Sequence, residues 1–295
     1  GKDDPAILPT LEYKLYFDDP KGRLRKSLHT PILSWLKQHK NATEVKDFIA
    51  FITLGPPEQA PEEDTLNFLD KQLVEKPLLY PLYKQRALLL EASEHFSRAQ
   101  LDWNQLIKRY PNMADFHFAR TQFSQVKDKR NDLNKTIQLN SQPKYLRARA
   151  QFWLTQDQKT LAATDLDEAI ARGTIIPEIY FLRATLLPRE NPLALQHLNH
   201  AIELDKKFIE PRRLRAEILL LLNRDQDALN DYDAMIKLKP TLTELYLIRA
   251  EIHMRLKNPF FALQNYSLAL TYQPENIQLH LKRAKLRFQM EDYPG

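Results

Sequence analysis

Residues 243–274 read TELYLIRAEIHMRLKNPFFALQNYSLALTYQP, and this stretch decides the fold. Leu242, Leu245, Tyr246, Ile248, Ile252 and Leu256 recur at the three- and four-residue spacing that lines one face of a helix. Lys257-Asn258-Pro259 breaks the pattern, and a proline opens a new helix where its missing N–H costs nothing. Ala262, Tyr266, Ala269 and Leu270 then mark a second helix, which Pro274 ends because proline cannot continue one. Ala250 and Ala262 sit one on each helix, and two antiparallel helices approach closely only where facing side chains are short.

The same helix pair recurs along the chain. An Arg followed by a small residue appears as Arg86-Ala87, Arg120-Thr121, Arg149-Ala150, Arg183-Ala184, Arg215-Ala216, Arg249-Ala250 and Arg283-Ala284, at spacings of 34, 29, 34, 32, 34 and 34. In step with it run DWNQLIKRYP from Asp102, DLNKTIQLNS from Asp132, DLDEAIARGT from Asp165, HLNHAIELDK from His197, DYDAMIKLKP from Asp231 and NYSLALTYQP from Asn265. Ala87/Ala99, Ala150/Ala162 and Ala216/Ala228 repeat the offset of Ala250/Ala262, and Ala184/Ala194 shortens it by two. Repeats of this length are supersecondary units that bury a core only by stacking.

The pattern resembles the tetratricopeptide repeat (TPR) family, in which small residues occupy positions 8, 20 and 27, a bulky residue position 24 and proline position 32 of a 34-residue unit. With position 1 at Thr243, those sites are Ala250, Ala262, Ala269, Tyr266 and Pro274. With position 1 at Ile209 they are Ala216, Ala228, Met235, Tyr232 and Pro240, so Met235 departs from the small-residue rule. With position 1 at Tyr80 they are Ala87, Ala99, Leu106, Trp103 and Pro111, and Leu106 departs likewise. The resemblance implies an all-α fold, a right-handed superhelical solenoid of antiparallel helix pairs covering roughly residues 46–295.

The array occupies 43–295, with a diverged unit at 46–79, units at 80–113, 114–142, 143–176, 177–208, 209–242 and 243–276, and a half unit at 277–295. Unit 114–142 is short by about five residues, which points to an abbreviated second helix or turn. Residues 1–42 fall outside the repeat: Leu11, Tyr13, Leu15 and Phe17 alternate with polar residues, and Thr30-Pro31 reads as a helix start before Ile32, Trp35 and Leu36. They are expected to form an N-terminal cap or arm, with an arm lying in a groove as the alternative. Glu291 to Gly295 falls, by register, on the turn after a first helix, and the register favours continuation into a second helix over a lone capping helix.

Composition narrows function by exclusion. Only five glycines and no cysteine occur, which argues for helices and rules out disulfides, thiolate chemistry and cysteine-ligated metals. The lack of cysteine suits an oxidising compartment, so a bacterial periplasm or cell envelope is favoured over cytoplasm. No apolar run is long enough to span a membrane. Membership of a larger assembly, secretion or membrane-associated complex is an expectation. There is no Gly-rich phosphate loop, GxSxG elbow or HExxH motif, so no enzyme and no cofactor is expected. His197 and His200 have ligand-compatible spacing, but His197 fills the slot that holds Asp in other units and is expected to make the same structural contact.

Two surfaces compete for function. Arg86, Arg120, Arg149, Arg183, Arg215, Arg249 and Arg283 form a regular ladder, and with a net charge of +5 such a ladder is able to track phosphates. An Asp recurring near position 23 favours the other use, a bidentate Arg–Asp pair that stitches helices. Nucleic acid is therefore the alternative partner. In TPR proteins positions 2, 5, 9 and 12 of the first helices line the concave face. Carried onto this sequence, that face holds Lys84, Phe118, Gln122, Arg147, Gln151, Phe181, Thr185, Arg213, Glu217, Leu247, Glu251, Met254, Leu281, Lys285 and Phe288. Apolar residues interleaved with Arg, Gln and Glu suit a protein or extended peptide. Leu88 stands where a chaperone-tail clamp needs Asn, so binding of chaperone C-termini is not expected.

Overall fold

The computed structural model describes residues 62–75, 80–123 and 126–290. The expected cap at 1–42 and most of the first half of unit 46–79 lie outside them. Fourteen α-helices occupy the described residues, with no strand among them. They are α1 (Glu62–Glu75), α2 (Tyr80–Ala92), α3 (Phe96–Arg109), α4 (Ala114–Arg120), α5 (Val126–Leu139), α6 (Pro143–Thr155) and α7 (Lys159–Ala171), followed by α8 (Pro177–Thr185), α9 (Pro192–Leu204), α10 (Ile209–Leu221), α11 (Asp225–Leu238), α12 (Thr243–Arg255), α13 (Pro259–Tyr272) and α14 (Ile277–Gln289). The chain divides into two compact halves between Tyr145 and Leu146, inside α6.

Helix starts follow the prolines. Pro177, Pro192 and Pro259 open α8, α9 and α13 at the first turn, where a backbone N–H has no intrahelical partner to lose. The side-chain oxygens of Asn191 and Asn276 accept from the N–H groups of Leu193 and Leu279, satisfying donors at the starts of α9 and α14.

The turn inside each full-length unit has its own rule. Glu94, Asp157, Asn223 and Lys257 all sit at position 15 and all have positive φ, between 54° and 60°. One residue later, the N–H groups of His95, Gln158, Arg224 and Asn258 donate to the carbonyls of Leu90, Trp153, Leu219 and His253 at 2.7–2.8 Å. A left-handed residue followed by this six-residue hydrogen bond closes the first helix and reverses the chain.

In the amino-terminal half the core gathers Ala87, Trp103, Leu106, Tyr110 and Phe116. In the carboxy-terminal half Ala216, Leu219, Ala228, Leu229, Tyr232, Met235, Leu245 and Ile252 form one such cluster. The paired alanines Ala216/Ala228 and Ala250/Ala262 are fully buried, as the close approach of two helices requires. Met235, the departure from the small-residue rule, is fully buried as well; its flexible thioether fills a gap that alanine leaves open.

Unit 114–142 departs from the expectation of an abbreviated second helix or turn: among the described residues the shortening falls in its first helix. Its second helix α5 has a full 14 residues, whereas its first helix α4 has only 7. Arg120 and Asp132 are 12 residues apart, where the same pair elsewhere is separated by 16. The missing four residues amount to about one helical turn, so their loss keeps both side chains on facing surfaces.

Candidate functional site

The arginine ladder has one geometry. Arg86 Nε and Nη2 donate to the two oxygens of Asp102 at 2.8 and 2.6 Å, while Nη1 reaches back to Asp70 at 2.8 Å. Arg120 grips Asp132 at 2.8 and 2.6 Å and reaches back to Asn104. In the carboxy-terminal half Arg149 grips Asp165, and Arg215 grips Asp231 while reaching back to Asn199. Arg249 donates to Asn265 and reaches back to Asp233 at 2.5 Å. Each of Arg86, Arg120, Arg215 and Arg249 thus joins the second helix of its own unit to the second helix of the unit before.

The buried carboxylates Asp102, Asp132, Asp165 and Asp231 are at most 3% exposed, so their charge depends on these donors. At Asp132 burial acts to raise the carboxyl pKa, but hydrogen bonds from Arg120 and His117 outweigh it and the net shift is downward. The same balance, with Arg98 and Arg86 as donors, lowers Asp70.

The ladder changes at two places. Arg183 does not use the slot of His197: its Nε donates to Asp167 at 2.6 Å, on the preceding second helix. This corrects the expectation that His197 makes the contact of its Asp counterparts. An imidazole nitrogen competes poorly with a carboxylate for a guanidinium, and Asp167 lies at the reach-back offset used elsewhere. His197 instead lines a cleft of about 440 Å³ with Ile170, Tyr180, His200 and Glu203. Among the described residues no group of three His, Asp or Glu is placed to hold a metal ion. At the other place, Arg283 makes no hydrogen bond or ion pair with any described residue.

The candidate binding face is built from the first helices. At position 9, Gln122, Gln151, Thr185, Glu217, Glu251 and Lys285 are all exposed. At position 5, Lys84, Phe118, Arg147, Phe181, Arg213 and Leu247 are half-buried. Phe118 packs edge-on against Tyr145 and Phe181 edge-on against Phe208, with ring centroids 5.1 and 5.4 Å apart. Leu247 packs on the clusters around Tyr246 and Ala250. The apolar residues that do project from this face are Leu88 in the amino-terminal half, and Met254, Leu281 and Phe288 in the carboxy-terminal half.

Arginines of this face bridge to the next unit: Arg147 Nη1 lies 3.3 Å from Glu178, and Arg213 Nη1 3.2 Å from Glu244. Glu217 accepts from Arg189, and Glu251 from Lys282. Sequence reading named the arginines but not the position-2 glutamates opposite them, although their offset of 31 residues is regular. It also passed over apolar side chains exposed at the intra-unit turns, such as Phe96, Leu221, Leu222, Phe260 and Phe261. Those positions carry no repeat signature.

No family model matches the chain, and no curated protein matches it. Solved structures do. The pilF protein of Pseudomonas aeruginosa superposes with a TM-score of 0.53 at 15% identity, covering 76% of this chain and 99% of that one. The C-terminal part of a TPR repeat-containing protein from Cytophaga hutchinsonii gives 0.53 at 15% identity, over 64% and 78% of the two chains. A tetratricopeptide repeat protein from Parabacteroides merdae gives 0.50 at 14% identity, over 77% and 92%. At these identities the likeness is one of fold.

Proposed function

From the premise that the chain has the tetratricopeptide-repeat fold, we propose that it is a non-catalytic scaffold that captures a protein or extended peptide in the groove lined by the first helices of its carboxy-terminal half. The observation that carries this reading lies within the carboxy-terminal half, where the position-9 side chains Gln151, Thr185, Glu217, Glu251 and Lys285 are exposed, Met254, Leu281 and Phe288 project beside them, and the position-5 neighbours Arg147, Phe181, Arg213 and Leu247 are held by packing or ion pairs. Rigid polar groups with apolar anchors between them set the register of a bound segment at low entropic cost.

The ladder supports this reading over nucleic-acid binding. The guanidinium groups of Arg86, Arg120, Arg149, Arg183, Arg215 and Arg249 already donate to Asp or Asn side chains, so phosphate would have to displace charge-assisted bonds. Among the described residues no helix is long and apolar enough to cross a membrane. The cysteine-free composition suits an oxidising bacterial envelope compartment, and membership of a larger assembly or secretion complex belongs to the same proposal.

Selection of a random displayed-peptide library against the chain tests the proposal. Enriched peptides are expected to lose at least tenfold in affinity against a Glu251→Arg/Met254→Asp variant, and none against Leu161→Asp on a second helix. Enrichment of peptides that bind both variants equally would remove the groove. Binding of a single-stranded oligonucleotide that falls steeply with salt would favour the nucleic-acid alternative.

A further inference from the structure

We propose that the cleft between α7 and α9 is a pocket for one arginine side chain of a partner protein, a site separate from the groove. It lies where the ladder changes. In the other units of the carboxy-terminal half the first-helix arginine is held by its own second helix, through Asp165, Asp231 or Asn265. In unit 177–208 Arg183 turns to Asp167 instead, and His197 faces a cleft of about 440 Å³. Helix α7 contributes Ile170 to the lining, α8 contributes Tyr180, and α9 contributes His197, Asn199, His200 and Glu203. The Tyr180 ring lies 5.2 Å from the His200 ring and 6.0 Å from the His197 ring, centroid to centroid. Its hydroxyl donates to the Thr174 carbonyl at 3.2 Å, which holds the ring in place. The repeat does not demand this set. Where His200 and Glu203 stand, unit 143–176 has Glu168 and Ala171, unit 209–242 has Ala234 and Lys237, and unit 243–276 has Leu268 and Thr271.

The lining selects the occupant. No lysine or arginine lines the cleft, and Glu203 is its one carboxylate. Burial first and Arg183 second hold His197 below its ordinary pKa, so its ring is neutral above pH 6.5 and brings no positive charge. Arg183 itself is occupied, with Nε and Nη2 donating to Asp167 at 2.6 and 3.2 Å. Asn199 is taken as well, since its side-chain oxygen accepts from Arg215. Glu203 Oε2 lies 3.4 Å from His200 Nδ1, but both side chains are more than half exposed, so a stronger donor displaces that contact. A carboxylate beside three rings fits a guanidinium, which is planar, stacks on ring faces and presents two N–H groups to one carboxylate. An acidic or phosphate-bearing group would meet the like charge of Glu203 with no lysine or arginine in the lining to offset it.

The probe is arginine blocked at both ends, N-acetyl-arginine amide, titrated into the 295-residue chain. Histidine ring resonances in NMR follow the titration, assigned with His197→Gln and His200→Gln. Saturable shifts of both resonances are expected, with none from N-acetyl-citrulline amide, the uncharged isostere. Glu203→Gln should weaken binding about tenfold, and Tyr180→Leu about threefold. Glu210→Gln, which removes an exposed glutamate of α10, should leave binding unchanged. The Glu251→Arg/Met254→Asp groove variant should bind the probe as the parent chain does, which separates this site from the groove. Absence of any shift, equal shifts from the citrulline compound, binding insensitive to Glu203→Gln, or an equal loss in Glu210→Gln would each overturn the proposal. So would tighter binding of free arginine than of the blocked form, which assigns the cleft to a free amino acid. Shifts from zinc ions with none from arginine would overturn it as well, by assigning the two histidines to a metal.

Discussion

The Arg215–Asp231 pair shows what a single position in the ladder does. Asp231 is 1% exposed and receives two guanidinium bonds of 2.6 and 2.8 Å. Arg215→Met removes both donors and leaves a buried carboxylate short of partners, which should cost about 2–4 kcal/mol. Asp231→Asn should cost about 1 kcal/mol or less, because unit 243–276 already uses Asn265 there, with its amide donating to the Phe261 carbonyl. Urea denaturation of the two variants checks the asymmetry; equal losses would mean that the charge of Asp231 matters more than its satisfaction. A second residue-scale expectation concerns the turn. Lys257 has φ of 57°, a region that disfavours any side chain, so Lys257→Gly should stabilise by about 0.5–1 kcal/mol. Asn223→Gly, at the equivalent position, should gain less, because Asn tolerates that conformation better than Lys.

At the scale of the helix, the sequence shows second helices better than first ones. Every described second helix from α3 onward carries its 34-residue signature, and those signatures are core positions, so packing keeps them uniform. The shortening of unit 114–142 was visible only as an Arg-to-Arg spacing of 29, which does not say which helix lost the residues. The Arg120-to-Asp132 spacing does locate most of the loss between those two residues. The partner of Arg183 is hidden for a related reason: Asp167 lies 16 residues before the arginine, outside the signature that marks the acids after it. Of the proposed binding face, the exposure of the position-9 residues agrees with the register. The half-burial of Phe118, Phe181 and Leu247 could not be read from register, because it depends on the neighbouring unit's side chains. Helix α9 and helix α12 also carry a shared pH response. His197 is held below its ordinary pKa by burial first and by Arg183 second, and His253 by burial and Arg249. The unfolded chain therefore takes up protons from pH 6.5 downward before the folded chain does, so stability is full above that pH and falls below it. Asp70 and Asp132, held below 3.8, add a further loss once pH falls under that value. Thermal melts should show Tm falling between pH 7.5 and 5.5, with a smaller fall in a His197→Gln/His253→Gln variant; the same fall in both would move the response to other groups.

At the scale of the whole molecule, stability in a repeat array is a sum of unit terms and nearest-neighbour terms, and the ladder contributes to both. Arg215 joins Asp231 in its own unit to Asn199 in the preceding one, so its loss weakens a unit and a junction together. The tryptophans report on this unevenly, because Trp35, Trp103 and Trp153 all lie before residue 154. Circular dichroism, by contrast, follows every helix. In Arg215→Met, the dichroism transition in urea should therefore begin at lower concentration than in the parent chain, while the tryptophan fluorescence transition, of which only Trp153 belongs to the same half, should shift less. The opposite substitution in the other half, Arg86→Met, should move fluorescence first, because Asp102 precedes the core residue Trp103. If both probes shift together in both variants, junctions between units outweigh the units themselves, and the array unfolds as one cooperative block. Separate shifts would show that the ladder sets stability locally, so that a partner bound to one stretch of first helices leaves the rest of the array free to open.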